Sequence, residues 1–139
     1  MDNFSIAWAN PDKTIVLITY ENDAWGWQDL YEVVKEQKNF IDSVGHPKID
    51  VIIDCRKTGI VPKGGSLLTG IRKVTVEHHP RQGHTILVGA HGFPRAMLKV
   101  AEKLMGTYRQ EFISVDTMEE AYALVERLSA QRDRTLSKR

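Results

Sequence analysis

Apolar and polar positions alternate along the first twenty residues and predict an antiparallel hairpin. Phe4, Ile6 and Trp8 alternate with small or polar residues, a turn follows at residues 10–13, and residues 14–20 are rich in β-branched side chains. The spacing then becomes helical. It predicts a helix from about residue 24 or 27 to residue 44, with Asn22 and Asp23 as candidate N-caps.

Continuous apolar runs further along the chain predict buried parallel strands. Val51, Ile52 and Ile53 form a β-branched run that ends at Asp54. Similar short runs occupy residues 84–89 and 112–115. A strand without a polar face is typical of a sheet covered by helices on both sides, so we expect residues 49–54 to form the central strand.

Three further helices are predicted between and after these strands. Ser66 begins the first, over about residues 66–76, and the second spans residues 92–106. The last begins at Thr117, with Glu120 completing a capping box, and its apolar face ends at Leu128. The predicted fold is an α/β domain of order β-β-α-β-α-β-α-β-α, in which four helices cover a mixed five-stranded sheet.

Length and composition predict a single domain. The 139 residues suit one domain, which we place at residues 3–130, with residues 131–139 as a polar, basic, frayed tail. We find no apolar run of about 18 residues and no basic, apolar leader at the N-terminus. A single cysteine, Cys55, excludes an internal disulfide. We therefore expect a cytoplasmic protein.

Charge is unevenly distributed along the chain. Residues 1–54 carry ten acidic and four basic side chains, whereas residues 55–99 carry eight basic and one acidic. This asymmetry favours an acidic partner protein or a homodimer partner, with a small anion as an alternative. We expect neither nucleic acid nor a membrane as a partner. The competing interpretation is that folding mixes the charges again.

The predicted binding surface follows the central strand, because ligands of open α/β sheets bind beyond the carboxyl ends of their strands. We expect Asp54 to act structurally, accepting backbone hydrogen bonds from the loop. The partner- or anion-binding residues are predicted to lie in the following loop and helix: Arg56, Lys57, Lys63, Gly64, Gly65, Ser66, Arg72 and Lys73.

Candidate catalytic chemistry is weak. The histidines His78, His79, His84 and His91 lack a metal-binding spacing, and Cys55 has no identifiable base. The Gly64–Gly65–Ser66 segment lacks the Walker pattern, although a helix N-terminus there would attract an anion. We predict no metal, no cofactor and no enzymatic activity. Trp25 and Trp27 are either core residues or, in part, a surface for a partner or apolar ligand.

The buried strand ending in Asp54 and the closing segment, residues 112–121, resemble the STAS domain of anti-sigma-factor antagonists, in its stand-alone bacterial branch. The resemblance covers residues 4–128 and implies a regulatory, protein-binding role. Phosphorylated antagonists of that family carry a serine motif that falls here near residues 62–65, where no serine stands, and Ser66 follows as a predicted helix cap. The interpretation is a non-catalytic interaction module, with a small-ligand binder (anion, nucleotide or apolar molecule) as the alternative.

Overall fold

The computed structural model describes residues 3–21, 26–57, 79–89 and 112–137. These residues contain a mixed five-stranded sheet in which the strands lie in chain order. The strands are β1 (Phe4–Trp8), β2 (Ile15–Tyr20), β3 (Ile49–Asp54), β4 (Gln82–Val88) and β5 (Phe112–Val115). β1 pairs antiparallel with β2, and the other three pairings are parallel. The predicted α/β class and mixed five-stranded sheet are confirmed.

Two helices lie within the described residues, α1 (Trp27–Asp42) and α2 (Met118–Ser137). The helices predicted over residues 66–76 and 92–106 fall outside them. Neither α1 nor α2 combines the length and apolar character needed to cross a membrane, in the part of the chain that the structure describes.

The sheet has a hydrophobic cluster on each face. α1 packs with Val16, Val51 and Leu87, whereas α2 packs with Ile52 and Ile86. Successive residues of a strand point to opposite faces, so the uninterrupted apolar run of β3 supplies both clusters. Val51, Ile52 and Ile86 are fully buried. β3 is therefore the central strand that the sequence predicts.

A register shift near the start of β3 and β4 changes which β4 side chains face α1. Ile49 pairs with Gln82, but Val51 pairs with Thr85. The extra β4 residue lets Gln82 and Thr85 share one face, where the Gln82 amide donates to Thr85 Oγ1 at 2.8 Å. Gln37 of α1 in turn donates to Gln82 Oε1 at 2.7 Å. These buried polar groups satisfy one another, so β4 begins two residues before its predicted start.

Side-chain hydrogen bonds hold both ends of α1, from within the helix at its start and from the segment before β4 at its end. The Gly26 N–H donates to the Asp29 carboxylate at 2.8 Å, so the first turn supplies its own acceptor. At the other end, the Arg81 guanidinium donates to the carbonyls of Ile41, Val44 and His46 at 2.8–2.9 Å. A cation there satisfies the Ile41 carbonyl in the last turn of the helix and two carbonyls just beyond it, and joins α1 to the segment before β4.

The last helix begins as predicted and ends later. The Glu120 N–H donates to Thr117 Oγ1 at 3.1 Å, which is the expected N-cap bond. α2 then continues to Ser137, into the segment predicted as a tail from residue 131. Arg132 explains part of this extension, because its guanidinium reaches back to Asp50 of β3. The sequence pattern contains only the apolar face and does not show this polar anchor.

Candidate functional site

Asp54 and Arg56 form a closed pair at the carboxyl end of β3. The Arg56 backbone N–H donates to Asp54 Oδ1 at 3.1 Å. Its side chain then folds back, with Nε donating to Oδ1 at 2.9 Å and Nη2 donating to Oδ2 at 2.8 Å. One edge of the guanidinium therefore lies along the carboxylate in a bidentate arrangement, the geometry that gives an arginine–carboxylate pair its orientation.

The two charges of this pair stabilise one another. The hydrogen bond from the Arg56 side chain is the main reason that the pKa of Asp54 lies below its ordinary value, and the same bond raises the pKa of Arg56. The Asp54 side chain is 8% exposed and that of Arg56 is 55% exposed. At neutral pH the pair is thus fully ionised, with its positive end toward solvent.

Gly89 allows Arg56 to occupy this position. Gly89 follows β4 with φ of +64°, a backbone conformation that favours glycine. A Cβ built on it would lie 2.6 Å from Arg56 Cγ and 3.5 Å from Arg56 Cα. The Arg56 stem therefore lies over the Gly89 backbone. The Gly89 N–H donates to Val115 O at 2.8 Å, so the ends of β3, β4 and β5 meet at this point.

Lys57 adds a second exposed cation beside Arg56. Its side chain is 61% exposed, and Nζ lies 3.9 Å from Glu21 Oε2, which is itself partly exposed. A pair of this length at the surface contributes little to stability. We call Arg56 and Lys57 together the basic edge.

Most of the predicted binding surface lies outside the described residues. This applies to Lys63, Gly64, Gly65, Ser66, Arg72 and Lys73, and also to Trp25 and to His78 and His91. Of the predicted set, the structure places Arg56 and Lys57 next to one another and next to Asp54. Trp27 is 1% exposed and packs against Tyr31, so it is a core residue and offers no surface to a ligand.

Cys55 directly precedes the basic edge in the sequence and belongs to the core. It is buried against the α1 face of the sheet, and its backbone N–H donates to Val88 O at 2.9 Å. Burial, with a smaller contribution from Asp54, raises the pKa of the Cys55 thiol to about 12. The reactive thiolate is therefore absent at neutral pH.

A second polar cluster occupies the opposite ends of the same strands, on the α2 face. Asp50 is 3% exposed, and its Oδ1 accepts from the His84 N–H at 2.8 Å and from Arg132 Nη2 at 2.9 Å. Sequence analysis missed this cluster. The signal available was an acidic residue inside the apolar run of β3, which requires a buried partner, but nothing in the pattern identified that partner as Arg132.

The described histidines are engaged in contacts within the fold, as His79 shows. His79 Nδ1 accepts the Arg81 N–H at 3.0 Å, so its Nε2 carries the proton that is shared with Asp42 at 2.7 Å. In the described ranges, no three His, Cys, Asp or Glu side chains converge in a way that could hold a metal ion.

An open cavity of about 440 Å³ lies between β5 and α2. Its lining is mainly apolar, with one acidic and one basic side chain: Ile113, Val115, Glu120, Ala123, Leu124 and Arg127. None of these residues belongs to the predicted binding surface, so the cavity does not favour a ligand at that surface.

Comparison with known proteins adds no assignment. No family model matches the chain, and no curated protein matches it significantly.

Proposed function

We propose that this chain is a non-catalytic protein-interaction module of the STAS-like type, and that the basic edge docks an acidic protein surface. The observation that carries the proposal is the pair of exposed cations, Arg56 and Lys57, at the carboxyl end of the central parallel strand. In open α/β sheets, ligands bind beyond the carboxyl ends of the parallel strands.

The neighbouring groups favour binding over bond-making chemistry. The Cys55 thiol is buried and protonated, so it cannot act as a nucleophile at neutral pH. Both Asp54 oxygens are engaged by Arg56, which removes the acceptor that a general base needs. Arg56 and Lys57 present accessible positive charge here, with the partly exposed Glu21 carboxylate beside Lys57.

Contacts of exposed charges have a characteristic dependence on salt. They accelerate association and orient the partner, while each pair adds only modest affinity. Salt at about 0.5 M shortens the screening length to roughly 4 Å, compared with about 8 Å at physiological strength. The affinity of a partner for the basic edge should therefore be much lower in about 0.5 M salt than at physiological ionic strength.

The test uses a fluorescein-labelled decaglutamate peptide as a defined acidic probe, followed by fluorescence anisotropy. Lys57→Glu should weaken binding about fivefold or more, because reversal of a charge replaces attraction with repulsion. Lys35→Glu is the matched control, since Lys35 is exposed on α1 and undergoes the same charge change. Equal affinity of the two variants, or affinity that ignores about 0.5 M sodium chloride, would contradict the proposal.

A further inference from the structure

One edge of the Arg56 guanidinium binds Asp54, and the other edge carries the remaining N–H donors. An arginine side chain offers five N–H donors in a planar fork. Asp54 takes the donor on Nε and one on Nη2. The remaining donors, both on Nη1 and one on Nη2, include the end-on pair that is parallel and suited to a second carboxylate. No described residue is bonded to Nη1.

The fork is held before any partner arrives. Asp54 fixes the plane of the guanidinium, and the glycine backbone at Gly89 supports the stem at a distance that a Cβ would prevent. A free surface arginine loses rotamer freedom when it binds, and this loss opposes binding. For Arg56 much of that ordering already exists in the isolated protein.

We propose that Arg56 is a pre-oriented receptor for a single carboxylate on the partner, bound end-on through Nη1 and Nη2. Asp54 and Gly89 are positioning residues for that contact. This inference rests on the proposed function and makes it specific: the partner presents an aspartate or glutamate side chain, or a terminal carboxylate, to Arg56, while Lys57 contributes only charge.

Substitutions that keep the charge distinguish a pre-oriented guanidinium from simple electrostatic attraction. Arg56→Lys keeps the charge but removes the fork, and should weaken binding of the decaglutamate probe about tenfold, the value of one lost bidentate contact of about 1.4 kcal/mol. Lys57→Arg is the reciprocal control and should bind like the wild type. Attraction by charge alone predicts that both variants bind unchanged.

Asp54→Asn separates positioning from charge most sharply. The change removes a negative charge beside the basic edge, so electrostatics alone predicts tighter binding of the acidic probe. Loss of the Asp54 carboxylate that holds Arg56 predicts weaker binding, about threefold or more, because the guanidinium must then be ordered when the probe binds. Circular dichroism and a thermal melt establish that the variant is folded.

Nitrogen-15 NMR of the arginine side chains gives a readout in the wild-type protein, independent of any variant. The Arg56 Nε–H should exchange slowly with water before the probe is added, and its Nη resonances should shift on titration. Suppose that Arg56→Lys binds like the wild type while Lys57→Glu and salt abolish binding. The proposal of a pre-oriented Arg56 receptor is then wrong, whereas docking at the basic edge is supported. If the wild type does not bind the probe, both proposals fail.

Discussion

Arg132 Nη2 donates to Asp50 Oδ1 at 2.9 Å, which joins the end of the last helix to the start of the central strand across 82 positions of sequence. The Asp50 side chain is 4% exposed and that of Arg132 is 23% exposed, so the contact is largely shielded from water. The His84 N–H shares the same oxygen. A carboxylate in this setting is stable only while its partners remain.

Removal of either partner of this pair should destabilise the protein. Asp50→Ala should lower the free energy of unfolding by about 2–4 kcal/mol, because the His84 N–H and the Arg132 guanidinium lose the oxygen that accepts their hydrogen bonds. Arg132→Met keeps the apolar stem but removes the cation, so the Asp50 carboxylate retains the His84 N–H without the Arg132 charge. Urea unfolding of both variants and of the double mutant should give a coupling energy of about 1–2 kcal/mol. Arg127→Met, an exposed arginine on the same helix, is the control and should change stability by no more than about 0.5 kcal/mol.

Gly83→Ala should also be destabilising, by about 1–3 kcal/mol. A Cβ at Gly83 would overlap Asp50 Oδ1 and lie 2.9 Å from Arg132 Nη2, so the methyl group would compete with the hydrogen bond between them. Gly45→Ala is the matched control, because a Cβ there meets nothing within 4 Å. Equal denaturant midpoints for the two variants would show that Gly83 does not limit the approach of Asp50.

Cys55 should be inert toward thiol reagents in the folded protein. Its pKa of about 12 leaves a negligible thiolate fraction at pH 8, and burial blocks the reagent. Labelling with dithionitrobenzoate at pH 8 should therefore proceed only after denaturant is added. Ser114→Cys, at an exposed position on β5, provides the positive control. Rapid native labelling of the wild type, as fast as that of the added cysteine, would refute this assignment.

Stability should fall as the solution becomes alkaline. Burial raises the pKa of Tyr20 well above its ordinary value and that of Cys55 to about 12, whereas the unfolded groups titrate near 10 and 8.5. Both groups bind their protons more tightly in the folded state, so their contribution is complete below the unfolded pKa values and is lost as pH rises above them. For Cys55 the loss spans about pH 8.5 to 12.

Urea unfolding between pH 8 and 10.5 tests this dependence. Tyr20→Phe and Cys55→Ala should each give a shallower decline of the unfolding free energy with pH than the wild type, whatever their stability at pH 8. Parallel curves for all three proteins would mean that neither group is responsible.

The elements that were predictable from sequence are those whose cause is local or periodic. Val51, Ile52 and Ile53 mark a strand buried on both faces, because no polar side chain is available for a solvent face. Thr117 marks the start of α2 because a hydroxyl at that position accepts an N–H three residues on. In such cases the pattern and the structure have the same physical origin.

The parts that were missed depend on residues distant in sequence. Whether α2 ends at Leu128 or continues past Arg132 is decided by Asp50, which no helical pattern contains. Gln82 joins β4 where its side-chain oxygen accepts a hydrogen bond from the Gln37 amide of α1, a residue 45 positions away. At the candidate site, Asp54 was predicted to receive backbone amides, and the side chain of Arg56 is the added contact. The position of the Arg56 side chain depends on Gly89, a residue 33 positions away that comes into contact with Arg56 only in the folded protein.

The strand order has a consequence for how the chain folds. Among the five described strands, each pairs only with the described strands that precede and follow it in the sequence, so none of the five needs a later, non-consecutive strand before it can join the sheet. During synthesis the hairpin of β1 and β2, together with α1 and β3, has its pairing partners within the first 54 residues. β4 and β5 then add one at a time to an edge that already exists. Sequential growth of this kind requires each new strand to close only the connection to its predecessor, which is a shorter loop than pairing between non-consecutive strands would require.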